Sequence, residues 1–123
     1  MQLTVPLLMM KHAAGHMGRG GRIVNVSSVG GPTGRLKGAG HCAAKAGLNL
    51  LTKVAAMEFA EAGITVNAVA PGLVDGAIQR IEENHSDAYR RAYLDATPLG
   101  RLRQPSDIAA TVLFLAPVQT MLA

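Results

Sequence analysis

The sequence predicts an α/β fold built on a short parallel sheet. Residues 22–27 (RIVNVS) and 64–71 (ITVNAVAP) read as unbroken apolar, β-branched runs of strand length. The segments around them carry helical spacing instead. Strands that alternate with helices and show no polar alternation imply a parallel sheet covered by helices. At 123 residues the chain is at most one domain.

The elements follow in order. Residues 3–17 are expected to be helical, with Leu3, Leu7, Leu8, Met10 and Ala14 near helical spacing, and Gly18, Gly20 and Gly21 break the chain. The first strand runs 22–27, and residues 29–40 (VGGPTGRLKGAG) read as a loop. The clearest helix spans 41–62, where Ala44, Leu48, Leu51, Ala55 and Phe59 share one face and Gly63 supplies a stop. The second strand closes at Pro71-Gly72. Residues 73–96 are polar and mixed, helical around 79–94. Pro105, Ser106 and Asp107 mark the start of a last helix that Pro117 ends after Ala116. Two strands with three or four helices leave both sheet edges open, and such edges invite pairing with other chains.

Composition narrows the function. The chain is 49% hydrophobic with 14 glycines, so it is globular rather than disordered. Its only aromatic residues are Phe59, Tyr89, Tyr93 and Phe114, which implies an aliphatic core. The net charge of +4 comes from scattered Lys and Arg, the longest cluster being Arg90-Arg91. Without aromatic interleaving, that pattern points away from nucleic acid. Cys42 is the only cysteine, which excludes an internal disulfide and a multi-cysteine metal site and fits a reducing cytoplasm. His12, His16 and His85 form no metal-ligand set with a Cys or acid, so no metal is expected. The opening MQLTVPLLMM lacks a basic leader and is interrupted by Pro6, so it does not read as a signal peptide. Residues 108–123 are too short for a membrane span.

Ser28, His41 and Lys45 form the candidate catalytic set. Ser28 ends a strand, where a parallel sheet places its ligand crevice. His41 and Lys45 are four apart on a helix and share a face. A hydroxyl donor, an acid/base and a cation suit carbonyl reduction. Spacing alone equally allows a helix-start histidine, a surface lysine and a strand-end serine with no joint role.

The phrases GRIVNVSS, AKAGLNLLTK, GITVNAVAPG and PLGRLRQPSDIAATVLFLA occur in this order. They resemble the short-chain dehydrogenase/reductase family, nearest its 3-oxoacyl-acyl-carrier-protein reductase and glucose dehydrogenase-like members. The resemblance covers about residues 2–116. It implies a partial Rossmann-type doubly wound sheet lacking the N-terminal cofactor half and the last strand. It implies an oxidoreductase that interconverts an alcohol and a carbonyl with NAD or NADP. Ser28 stands at the family's catalytic serine and Lys45 at the lysine that binds the nicotinamide ribose. Asn25 to Ser27 imply backbone contact with the nicotinamide, and Pro71, Gly72 and Val74 match the turn that holds its carboxamide. Helices 3–17 and 41–62 match those through which family members form homo-oligomers.

The departures are as specific. The motif S-x12-Y-x3-K becomes S-x12-H-x3-K, with His41 at the tyrosine's place. Gln2 falls where many members carry an asparagine, and Gly76 where a threonine often binds cofactor. An imidazole beside the Lys45 ammonium tends to stay neutral, and can then accept an alcohol's proton but is a poor donor to a ketone. These losses imply an impaired activity, either weak and favouring oxidation or with His41 non-catalytic, and they open a second reading: a non-catalytic fragment that serves as an oligomerisation module or is a gene remnant. Residues 33–40 also match T-G-x3-G-x-G, a phosphate-binding pattern, but do not directly follow a strand.

Overall fold

The two β-branched runs satisfy their backbone by pairing with each other. In a computed structural model, which describes residues 1–76 and 87–116, β1 (Arg22–Val26) lies parallel to β2 (Thr65–Val69). Arg22 stands opposite Thr65 and Val26 opposite Val69. The connection between parallel strands must cross over, and α3 (Ala39–Glu58) supplies it.

α1 (Thr4–Ala14) and α3 cover the sheet face that carries Ile23, Asn25 and Val66. The core there joins Met10, Ala55, Ile64 and Val66, with Met17, Leu51 and Phe59 packed around it. The expected face of α3 turns inward: Leu48 and Ala55 are buried, and Ala44, Leu51 and Phe59 are half-buried. In α1 only Met10 is buried, while Leu3, Leu7 and Leu8 remain exposed. The buried amide of Asn25 is satisfied within this core. Its Nδ2 donates to Thr52 Oγ1 at 2.9 Å and to Met10 Sδ at 3.3 Å, and Thr52 Oγ1 donates to the Leu48 carbonyl at 2.7 Å.

Three boundaries differ from the sequence expectation. α1 ends at Ala14, with Gly15 as its cap, rather than at residue 17. α3 begins at Ala39 and ends at Glu58; the chain then turns over 59–63, where Gly63 adopts φ +71°. Between β1 and α3 the expected loop contains a one-turn helix, α2 (Gly30–Thr33), which makes five helices among the described residues. Glycine permits this turn. A Cβ on Gly31 would lie 2.8 Å from Asn49 Nδ2 and 3.0 Å from the Lys45 carbonyl carbon, so α2 sits against α3 backbone.

The remaining elements are α4 (Asp87–Asp95) and α5 (Pro105–Leu115). The earlier part of the expected 79–94 helix falls partly in 77–86, outside the described residues. α5 starts where Pro105 predicts, and Asp107 accepts the Gln104 N–H at 2.9 Å and Arg101 Nη1 at 2.8 Å. Those bonds hold the Asp107 carboxyl below its ordinary range, the arginine bond first. Residues 73–75 are tied to the entry of α5: Arg103 N–H donates to Leu73 O at 3.1 Å and Asp75 N–H to Arg103 O at 2.7 Å. α5 lies against the other sheet face, where Val26 lines an open apolar groove with Pro105, Ile108 and Val112.

Candidate functional site

The parallel ladder continues past the strands. Ser27 N–H donates to Val69 O at 2.7 Å and Val29 N–H to Pro71 O at 3.1 Å. This places Ser28 alongside Pro71 and Gly72 at the carboxyl end of the sheet, where parallel folds bind ligands. The start of α3 is packed onto the same end. A Cβ on Gly30 would stand 3.3 Å from Cys42 Sγ, 3.5 Å from Ser28 Oγ and 3.8 Å from His41 Cδ2. Gly30 is thus the small residue around which Ser28, His41 and Cys42 close. Lys45, one turn further along α3, reaches back so that its Nζ donates to Val26 O at 2.7 Å. Ser27 Oγ donates to Lys45 O at 3.3 Å, holding strand end and helix together. Ser28 and His41 thus both approach Gly30, and Lys45 lies one turn further along α3 with its ammonium on the Val26 carbonyl.

His41 has a defined electrostatic state. Its Nδ1 lies 3.1 Å from Gln2 Oε1. An amide oxygen accepts, so in the neutral ring Nδ1 carries the proton and Nε2 keeps its lone pair. Partial burial, then the positive charges of Arg35 and Lys45, lower the pKa of the ring. Burial and those charges favour the neutral imidazole, in which the Gln2 contact leaves Nε2 as the basic nitrogen.

The residues matched to cofactor binding divide. Pro71 and Gly72 line a cleft of about 650 Å³ together with Leu73, Thr97, Arg103 and Asp107. Val74 lines the apolar groove against α5 and bridges to Arg103. The Asn25 side chain points into the core at Thr52 and Met10, which leaves only its backbone to face a ligand. The glycine pattern of 33–40 follows α2 rather than a strand, with Gly34 capping that turn at φ +70° and Gly38 buried before α3. It is a connection between two helices and not a strand–turn–helix phosphate loop.

Sequence reasoning missed Tyr93. Its hydroxyl accepts the Leu73 N–H at 2.8 Å, and it lines both the larger cleft and a second one of about 320 Å³ that Ser28 also lines. The available signal was the pair Tyr89 and Tyr93, one helical turn apart, whose ring centroids are 6.5 Å from each other. Gln2 was noted as a departure from an asparagine, but its contact with His41 was not foreseen. Among the described residues, no group of three or more His, Cys, Asp or Glu could hold a metal, and no helix is long and apolar enough to cross a membrane.

A family model described as Enoyl-(Acyl carrier protein) reductase matches residues 1–120. A 3-oxoacyl-[acyl-carrier-protein] reductase of Staphylococcus aureus is 47% identical over 98 residues, which cover 80% of this chain and 39% of that protein. An uncharacterized oxidoreductase of Bacillus subtilis is 41% identical over 102 residues, covering 79% of this chain and 37% of that protein. Among solved structures, an angucycline C-6 ketoreductase with bound NADP superposes with a TM-score of 0.84 at 27% identity, over 94% of this chain and 44% of that one. A reductase that catalyses keto-reduction at C1 in lugdunomycin biosynthesis superposes with a TM-score of 0.82 at 29% identity, over 99% of this chain and 47% of that one. The matched region spans less than half of each of these proteins, 37% to 47%.

Proposed function

Because the chain belongs to the short-chain dehydrogenase/reductase family, we propose that it is the substrate-facing portion of an NAD(P)-dependent oxidoreductase acting on alcohols and carbonyls, with chemistry biased toward oxidation by His41. The observation that carries the reading is the convergence of Ser28, His41 and Lys45 at the carboxyl end of β1. The residues present fit the nicotinamide half of the cofactor. The Lys45 ammonium spends one N–H on Val26 O, which leaves two for ribose hydroxyls. Gly72 keeps its position free of a side chain where the Tyr93 hydroxyl would stand 2.9 Å from a Cβ. Pro71 and Gly72 border the cleft in which the carboxamide would be held. When bound, the nicotinamide gives or accepts the hydride.

The chain's own groups do the rest. Ser28 offers its O–H to the substrate oxygen. Nε2 of His41 accepts the proton that an alcohol loses as it becomes a carbonyl. Gln2 fixes the tautomer that keeps this nitrogen basic. Lys45 holds the ribose, and its charge adds to burial and to Arg35 in disfavouring the imidazolium of His41. Reduction runs against this arrangement, because a neutral Nε2 has no proton to give.

A second reading has its own observation. Leu7, Leu8 and Met9 on α1 and Leu50 and Met57 on α3 are exposed, Met57 at 70%. A face of that kind suits a non-catalytic module that associates with a second copy through helices 3–17 and 41–62. NADPH fluorescence titration separates the readings. Saturable micromolar binding by the purified chain, lost in Lys45→Met, is expected of the enzyme reading. Absence of binding, with dimers in sedimentation velocity, favours the module.

A further inference from the structure

We propose that Tyr93 is a substrate-contacting residue which, with Ser28, forms a two-hydroxyl clamp for the oxygen of a small, apolar-bodied carbonyl compound. Ser28 and Tyr93 both line a cleft of about 320 Å³. Each already receives a backbone N–H on its oxygen: Ser28 Oγ from Gly30 at 3.1 Å, Tyr93 Oη from Leu73 at 2.8 Å. A hydroxyl that accepts on one lone pair turns its own proton elsewhere. Among the described residues neither proton has an acceptor. The two backbone amides therefore act as orienting groups, and they leave two O–H donors lining one space.

The rest of the lining says what kind of molecule fits. Val29, Leu73, Ala92 and Ala96 make the walls largely apolar, with Thr33, Arg35 and Tyr89 as the other polar lining. Few polar groups in an apolar cleft fix orientation rather than supply bulk affinity. The ligand is thus an oxygen acceptor on a hydrocarbon body. The clamp's position depends on the long-range bond between α4 and the turn after β2, because Leu73 N–H holds the phenol across that gap. Tyr93 is distinct from the position of the family's tyrosine, which is His41 here.

The proposal rests on the reading that this chain handles carbonyl compounds, and its test uses no nucleotide, so its failure is separate from a failure to bind NADPH. The full chain, labelled with 15N, is titrated with cyclohexanone and with methylenecyclohexane, which has the same shape without the oxygen. We expect saturable shifts of the Leu73 and Gly30 amides with the ketone. Tyr93→Phe should weaken ketone binding about tenfold and leave the hydrocarbon unchanged, because a site built around a hydrogen bond loses most for the ligand that uses it. Ser28→Ala should do the same from the opposite wall, and it carries the test should Tyr93→Phe not fold. Equal losses for ketone and hydrocarbon, unaltered ketone affinity in both variants, or no ketone binding by the parent chain would each overturn the clamp.

Discussion

The Nδ1 of His41 stands 3.1 Å from Oε1 of Gln2, so a residue two positions before α1 offers an acceptor to the residue in the first turn of α3. Two of the positions that the resemblance marks as departures touch each other. In the neutral ring Gln2 supplies the acceptor that leaves Nε2 as the basic nitrogen.

His41 should titrate below the ordinary histidine value of about 6.5, because burial and then the charges of Arg35 and Lys45 disfavour its imidazolium. Lys45→Met and Arg35→Met should each raise its pKa, as read from the ring Cε1–H shift against pH. The linkage has a definite sign. The unfolded chain binds the proton more readily, so stability from the neutral ring is complete above about pH 6.5 and declines as pH falls toward the folded pKa. His41→Phe should flatten that part of the stability profile. An identical slope in the variant would assign the loss to other groups.

His41→Tyr tests the oxidation bias directly. With the chain joined to the part of the Staphylococcus aureus relative that precedes its matched 98 residues, the parent should oxidise secondary alcohols faster than it reduces ketones near neutral pH. Tyrosine at 41 should raise ketone reduction by about 100-fold or more, the scale of a positioned general acid. Gln2→Leu, which lacks the acceptor for Nδ1–H, should cut alcohol oxidation in the parent while leaving the tyrosine variant's rate unchanged.

Much of this was legible in the sequence because it rests on periodicity and on short-range chemistry. The 3.6-residue spacing of Ala44, Leu48, Leu51 and Ala55 fixes the inward face of α3, and the two β-branched runs fix the strands. Ser28, His41 and Lys45 were identifiable through the family phrases around them, since their spacing alone allows no joint role. What escaped depends on partners far along the chain. Tyr93 meets Leu73 across 20 residues and His41 meets Gln2 across 39. No local pattern announces such pairs. The α2 turn escaped for a different reason: GGPT has poor helix propensity, and contact with α3 overrides it.

Asn25 should be worth more to stability than to ligand binding. Thr52→Val removes the hydroxyl that accepts from its Nδ2 and leaves only the Met10 sulfur as partner. A buried amide left short of a partner costs about 1–3 kcal/mol. Asn25→Leu combined with Thr52→Val removes both polar groups and should recover much of that loss. Urea unfolding of the two single variants and the double variant measures the coupling. Simple additivity would show that the 2.9 Å bond is not what the core depends on.

The glycines around the site should fall into two classes. Gly31→Ala pushes a Cβ to 3.0 Å from the Lys45 carbonyl carbon and 3.1 Å from the Ala46 nitrogen, both backbone atoms of α3 that cannot step aside. The helix or the α2 turn must move instead, at about 1–3 kcal/mol. Because α2 follows Ser28 and α3 carries Lys45, that movement also spreads the catalytic set, so nucleotide affinity should fall along with stability. Gly40→Ala meets nothing within 4 Å and lies in the first turn of α3. There alanine removes backbone freedom from the unfolded chain, and stability should rise by up to about 1 kcal/mol. Measuring both by urea unfolding and by NADPH titration separates the two effects: Gly40→Ala should change stability alone, whereas Gly31→Ala should change both. A Gly31→Ala chain that is weakened but binds NADPH unaltered would uncouple the α2–α3 contact from the site.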